Sequence, residues 1–414
     1  MKAVQKKRVV RLSSGTLALC AVVSAAAFTS TASAEGSLSF GSVHAAPQLS
    51  PGTLITAHNL TESAALPSAA KNERITYLSQ SASGEPILVS GVVAIPKTPA
   101  PAGGWPVVSW AHGTTGVADA CAPSADTPKG PVHDYLSGVD QTLDKWVANG
   151  YVVVQTDFEG LGTPGGHPYM NGTSAANTVT DVVRAARQVD PSVGKDWFAM
   201  GHSQGGQAAV FTAALGQDRA SELNLKGAVS VAPGNGTAKI PELVSSGNAA
   251  MSGAVPFVPV ILLGVQAADP SIIGEDLLSD EAQPLLEAAR TGCLAAVRAV
   301  PPIPVNQIFR AGADLTALTA NLNKQELATV TPEVPTLFAQ GTADVLVSVG
   351  STTGAVKDFC SKGSEIEFKT YEGADHRGAI GASYDDALDF TTRMLAGQAV
   401  NPGACWPVSG TDAA

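Results

Sequence analysis

The sequence predicts an α/β protein: a mostly parallel central sheet flanked by helices, with a largely helical cap insertion late in the chain. Three observations predict it. From about residue 106 to residue 233, short apolar strand-like runs alternate with helix-like segments, a rhythm that builds parallel sheets covered on both faces. The rhythm stops over residues 234–334 and then resumes. One strand of the series runs into Gly201-His202-Ser203-Gln204-Gly205 and an Ala-rich helix, the strand–turn–helix setting of a G-x-S-x-G nucleophile.

Taken in order, the chain opens with Lys2, Lys6, Lys7, Arg8 and Arg11, an uncharged apolar run from Leu17 to Phe28, and Ala32-Ser33-Ala34 ahead of Glu35. That order is a secretory signal peptide cut after Ala34. A membrane span needs about 20 apolar residues, more than this run offers. Cys20 leaves with the signal, since bulky Leu19 stands where a lipoprotein anchor wants a small residue. Residues 1–34 hold five basic and no acidic residues, so cleavage leaves 20 Lys+Arg against 36 Asp+Glu, moving the net charge from −11 to −16. An acidic surface of this kind repels phosphate backbones and excludes nucleic acid as a partner. Cys121, Cys293, Cys360 and Cys405 remain. In an exported chain an even, widely spaced set reads as two disulfides, with three pairings allowed.

Residues 35–70 are Ser-, Ala- and Pro-rich without periodicity and are expected to wrap over the surface. A hairpin follows, Ile75–Leu78 and Ile87–Ile95 around the turn-forming Ser83-Gly84. Strands are then expected at Pro106–Trp110, Tyr151–Thr156, Trp197–Met200 and Gly227–Val231, with helices at Tyr135–Ala148, Ala175–Val189 and Gln204–Leu215. Residues 35–233 thus make the first part of a core, 234–334 a helical cap or lid, and 335–414 the second part of the core. In the cap, Val255–Leu263 is too short and Pro-broken to span a membrane. It reads as cap core, with an acyl-chain groove or mobile lid as the functional alternative. The last elements are a strand at Thr336–Ala339, a helix at Thr352–Cys360, a strand at Ile366–Tyr371 and a helix at Ala379–Leu395.

Ser203 is the expected nucleophile. A hydroxyl is a weak nucleophile at neutral pH and needs a base in reach and a carboxylate to orient that base. In the α/β-hydrolase fold the order is Ser, acid, His. Asp344 follows a late strand in Gly341-Thr342-Ala343-Asp344, and His376 follows the last strand in Gly373-Ala374-Asp375-His376. His112, His133 and His167 precede Ser203, against that order, and His202 beside it is expected to point away. Asp375, adjacent to His376, reads as a loop-stabilising carboxylate. The oxyanion needs backbone donors: one from Gln204, the other from the loop Ala111-His112-Gly113-Thr114-Thr115-Gly116, by Thr114 or Thr115. Asp157-Phe158-Glu159-Gly160-Leu161-Gly162 borders the site in a structural role. No phosphate-binding loop, nucleotide fingerprint or metal-ligand cluster appears in the sequence, and acyl transfer of this kind needs no cofactor.

On Val107-Val108-Ser109-Trp110, Cys121-Ala122-Pro123-Ser124, Gly201-His202-Ser203-Gln204-Gly205-Gly206 and the insertion before Asp344, the chain resembles the secretory lipase family of the α/β-hydrolase superfamily, the fungal lipase A-like enzymes. The resemblance runs from about residue 75 to the end. It implies a helical cap, action on triacylglycerols and simpler carboxylic esters, and transient contact of the cap with a lipid interface. It implies Ser203, Asp344 and His376 as triad, Thr115 with Gln204 as oxyanion hole, and disulfides Cys121–Cys293 and Cys360–Cys405. The same machinery serves an acyltransferase or a serine peptidase, and a non-catalytic binding protein is a further alternative.

Overall fold

Ten strands join in one sheet in the computed structural model, which describes residues 49–400, 405 and 408–409. They are β1 Leu54–Asn59, β2 Ala69–Gln80, β3 Pro86–Pro96, β4 Trp105–Ala111, β5 Val152–Thr156, β6 Val193–His202, β7 Asn224–Val231, β8 Thr336–Gly341, β9 Ile366–Tyr371 and β10 Val408–Ser409. Their spatial order is β1-β2-β3-β5-β4-β6-β7-β8-β9-β10. The pairs β1–β2, β2–β3 and β3–β5 are antiparallel. Every pair from β5 to β10 is parallel. The chain turns one way after β4, to β5, and the other way after β6, to β7. In such sheets the crevice at the carboxyl ends of the two strands where winding reverses is the natural ligand site. Here those ends carry the His112 loop and Ser203.

The helices are α1 His133–Ala148, α2 Gly172–Val189 and α3 Gln204–Arg219, then α4 Ile240–Ser245, α5 Val258–Ala268, α6 Gly274–Leu277, α7 Gln283–Thr291, α8 Leu294–Arg298 and α9 Thr316–Asn323 between β7 and β8, and finally α10 Val349–Ser361, α11 Gly378–Ala382 and α12 Tyr384–Leu395. Strands covered on both faces read as continuous apolar runs. On β4, Val107 and Ala111 join Val179, Val182 and Val183 of α2 and Ala208 of α3 in one core. Val108 and Trp110, on the opposite face, join Val139, Leu143 and Trp146 of α1 and Phe390 and Met394 of α12 in another. Each fully buried valine contributes roughly 1.5–3 kcal/mol.

The expected hairpin, parallel strands and covering helices form, with β2 and β6 beginning six and four residues before their expected bounds. Three differences have local causes. β1 lies within the stretch expected to be irregular; five of its six residues are exposed, so no alternation marks it. The single expected helix at Ala379–Leu395 is α11 and α12, separated at Ser383, whose hydroxyl donates to the Ile380 carbonyl at 3.2 Å and so competes with the helix ladder. The Pro-broken run lies in a longer helical stretch, residues 249–268, long and apolar enough to cross a membrane by length and composition alone. Pro259 sits in the first turn of α5, where its missing N–H has no helical partner to lose. Residues Val258–Leu262, Gly264 and Val265 are nonetheless buried, in a core shared with α7 and α9. The expected signal segment, residues 1–34, lies outside the described residues.

Candidate active site

β6 delivers Ser203 to a sharp turn. Its φ of 59° and ψ of −115° are a conformation non-glycine residues rarely adopt, costing of order 1–3 kcal/mol. The surroundings hold it there. Ser203 N donates to the Val231 carbonyl at 2.9 Å, and the Ser203 carbonyl accepts from Gln207 N at 3.0 Å and Gly234 N at 2.9 Å. The flanking glycines are required by contact: a Cβ on Gly201 would lie 2.2 Å from the Gly205 carbonyl oxygen, and one on Gly205 1.8 Å from that of Ala111. Ser203 also caps α3, so the positive end of the helix faces any anion formed at its side chain.

Asp344 and His376 come together on the turns after β8 and β9. His376 Nδ1 and Asp344 Oδ2 are 2.7 Å apart. The other carboxylate oxygen accepts from Leu346 N at 2.8 Å and Val347 N at 2.9 Å, and Gln340 Nε2 donates to Oδ2 at 2.9 Å. Burial alone would raise the carboxyl's pKa. The His376 hydrogen bond and charge, with the Val347 and Leu346 N–H groups, outweigh it and hold Asp344 below the ordinary aspartate value. Asp375 accepts from Gly378 N at 2.7 Å, the loop-stabilising role expected of it.

The loop after β4 is fixed at several points. Gly113 N donates to the Tyr135 hydroxyl at 2.8 Å, Thr114 Oγ1 pairs with the Tyr169 hydroxyl at 2.7 Å, and Leu294 N donates to the Thr115 carbonyl at 2.8 Å. Cys121 bonds to Cys293 and Cys360 to Cys405, the pairing the resemblance implies. Gln204 Nε2 donates to His167 Nε2 at 2.9 Å, and His167 Nδ1 donates to the Glu159 carbonyl at 2.8 Å. Burial pushes His167 down to about 3, so it is neutral and accepts. Thr115 Oγ1 and Gln204 Oε1 are buried without a hydrogen-bond partner among the described residues. Asp157, fully buried, accepts from Ser90 Oγ at 2.6 Å, Ser124 N at 2.8 Å and Ser124 Oγ at 2.5 Å. It thereby pins the Cys-Ala-Pro-Ser stretch beside the loop.

These elements share a cavity of about 390 Å³ lined by Gly113, Thr114, Ser203, His376 and, from the stretch between β7 and β8, Phe257, Leu294 and Arg298. Thr115 lines an adjoining hollow rather than this one. His202 does not point away as expected: it lines the same cavity, with Nε2 2.8 Å from the His376 carbonyl and Nδ1 3.1 Å from the Tyr135 hydroxyl. The residue after a strand's last glycine is free to face the neighbouring loop, and here the His376 loop is that neighbour. Tyr135, Tyr169 and Gln340 were not singled out in the sequence as site residues. Their parts depend on partners distant in the chain. Among the described residues no group of three or more His, Cys, Asp or Glu side chains is placed to hold a metal.

The mostly parallel sheet, the strained serine turn and the His–Asp pair at the strands' carboxyl ends define a protein of the α/β-hydrolase class. The secretory lipase family model matches residues 135–402, and the chain belongs to that family. It is 25% identical over 284 residues to a secreted triacylglycerol lipase of Malassezia furfur (64% of this chain, 52% of the relative), and 27% identical over 276 residues to a lipase A of Moesziomyces aphidis (59% and 57%). The chain thus spans little more than half the length of these relatives. Among solved structures, Candida antarctica lipase A superposes with a TM-score of 0.73 at 20% identity, covering 87% of this chain and 86% of that one. The rice cell wall degrading esterase LipA of Xanthomonas oryzae gives 0.67 at 21% identity, covering 84% and 99%.

Proposed function

We propose that this chain is an exported serine hydrolase that cleaves carboxylic esters, lipid esters such as triacylglycerols among them, through an acyl-enzyme on Ser203. The observation that carries the reading is the 2.7 Å His376–Asp344 pair on the cavity that Ser203 enters from its strained turn. His376, its Nδ1–H held by Asp344, keeps Nε2 free to take the Ser203 proton as the oxygen attacks the ester carbonyl. The oxyanion rests on the Gln204 N–H and on an N–H of the Thr114-Thr115 pair. The resemblance favours Thr115, and the lining of the cavity favours Thr114. His376 then protonates the leaving alcohol, and water activated by His376 releases the acid and frees Ser203. The segment 234–334 acts as a cap, contributing Phe257 and Leu294 as apolar walls for an acyl chain. The substrate class draws support from the named activities of the fungal relatives, and export from the order of charges and apolar residues ahead of Ala34.

Initial rates on p-nitrophenyl esters from acetate to palmitate, for the protein and its Ser203→Ala variant, test this. The variant is expected to lose activity on the order of 10⁴-fold or more, and a rate maximum at long chains assigns lipid esters. Equal rates in both proteins, or none in either, overturn the reading.

A further inference from the structure

The residue before the nucleophile is more than a spacer. His202 is buried, and burial, followed by the nearby charge of His376, pushes it down to about 3; near neutral pH its ring is therefore uncharged and carries one proton. The His376 carbonyl oxygen, 2.8 Å from Nε2, can only accept. Nε2 therefore holds the proton, and Nδ1 presents a lone pair. The group facing that lone pair is the Tyr135 hydroxyl, 3.1 Å away. Burial raises the Tyr135 pKa above the ordinary value, so the phenol keeps its proton and donates it to Nδ1. Its oxygen is then left to accept the Gly113 N–H at 2.8 Å. Each link has one direction of donation, so the chain from Gly113 through Tyr135 and His202 to the His376 backbone has a single proton arrangement.

We propose that Tyr135 and His202 are positioning residues forming a hydrogen-bonded brace that fixes the loop after β4 against the loop bearing His376. The inference rests on the reading of His376 as base and of the Gly113-Thr114-Thr115 loop as oxyanion donor. Those two groups act on opposite sides of one reacting carbonyl, and nothing local in the chain sets their separation. The brace does so through a residue adjacent to Ser203 itself. His376 is consequently held twice, at the ring by Asp344 and at the backbone carbonyl by His202. The His202 and His376 rings pack with centroids 4.5 Å apart, and the Arg377 guanidinium lies over the Tyr135 ring at 5.3 Å, so the tyrosine meets the same loop by its face as well. Gly113 admits the arrangement because a Cβ there would lie 2.6 Å from the Tyr135 hydroxyl and 3.0 Å from His202 Nδ1.

A displacement of about 1 Å in a reacting group costs on the order of 10²-fold in rate, so loosening the brace should lower kcat more than it raises KM. The test is steady-state kinetics on a short, soluble p-nitrophenyl ester, with thermal unfolding of each protein, for the wild type, Tyr135→Phe, His202→Leu, His202→Gln and Ser203→Ala. Tyr135→Phe and His202→Leu are expected to lower kcat about tenfold or more with KM changed less than about threefold. His202→Gln, whose amide N–H can reach the position of Nε2, is expected to recover most of the kcat lost in His202→Leu. Should the leucine variant fail to fold, Tyr135→Phe, which removes one hydroxyl from a half-buried ring, still decides the matter. An unchanged kcat in Tyr135→Phe beside an inactive Ser203→Ala overturns the brace and leaves the ester chemistry standing. Losses that follow the melting temperature, with no rescue by glutamine, reduce the pair to a structural role and overturn it too. An active Ser203→Ala overturns the hydrolase reading on which the brace depends.

Discussion

Ser203 persists at φ 59° because its neighbours leave the chain no other path. The decisive contact is at Gly205, where even a methyl group would stand 1.8 Å from the Ala111 carbonyl oxygen. That carbonyl belongs to the end of β4, whose continuation is the proposed oxyanion loop. Gly205→Ala must therefore push α3 and β4 apart, and overpacking of this kind costs about 1–3 kcal/mol or more. The expected outcome is a lower melting temperature together with at least about a tenfold fall in ester hydrolysis; a variant matching the wild type in both would show that the close approach does not set the turn. Ser203, Asp344 and His376 could be read from the sequence because each sits just beyond a recognisable strand in the order the fold demands. Tyr135 and His202 could not. Their hydrogen bonds join positions 67 and 174 residues apart, a relation no local pattern encodes.

At the level of elements, the two disulfides separate function from stability. Cys121–Cys293 joins residues 172 apart and Cys360–Cys405 residues 45 apart, closures that by chain entropy stabilise by about 5 and about 4 kcal/mol respectively. The first fastens the loop that follows Thr115 to α8, beside the Gly116–Cys293 bridge and the Leu294 N to Thr115 carbonyl hydrogen bond. The second ties the C-terminal stretch to α10. Replacing Cys121 and Cys293 by alanine is expected to lower both the melting temperature and kcat. The same change at Cys360 and Cys405 should lower the melting temperature and leave kcat within about twofold, since α10 contributes no residue to the cavity. Calorimetry and kinetics on the two double variants separate these outcomes; equal kcat losses would remove the special place of the first bond. The same elements show where periodicity stops being informative. α2, buried over most of its length, announces itself through Val179, Val182, Val183 and Ala186, whereas β1 has almost no buried face and α12 follows a serine whose competing hydrogen bond no spacing reveals.

For the molecule as a whole, the reversal of winding between β4 and β6 gathers loops from both halves of the chain around one crevice, and that gathering buries histidines. His202 and His167 are both pushed down to about 3 by burial, with His376 adding to it at His202 and His112 at His167. Their folded pKa values lie below the ordinary value of about 6.5. Between these limits the unfolded chain binds protons that the folded one refuses. The stability held by the neutral rings is therefore complete above about pH 6.5 and is lost as pH falls toward about 3, at about 1.4 kcal/mol per pH unit for each proton. Asp140 works in the opposite sense: burial, and then the Asp126 charge, raises it to about 7, so in the same window the folded chain holds a proton that the unfolded one releases. The total pH dependence mixes these signs, and a difference between two proteins isolates one group. In His167→Gln the amide can still meet Gln204 and no proton is refused. Denaturant unfolding from pH 4 to 6 should then give a wild-type stability curve steeper than the variant's by about one proton, or about 1.4 kcal/mol per pH unit, the difference fading as pH rises past about 6.5. Parallel curves would mean that His167 is protonated in the folded protein. The Gln204 amide would then have to turn its oxygen toward the ring, reversing the hydrogen bond that steadies the residue following Ser203.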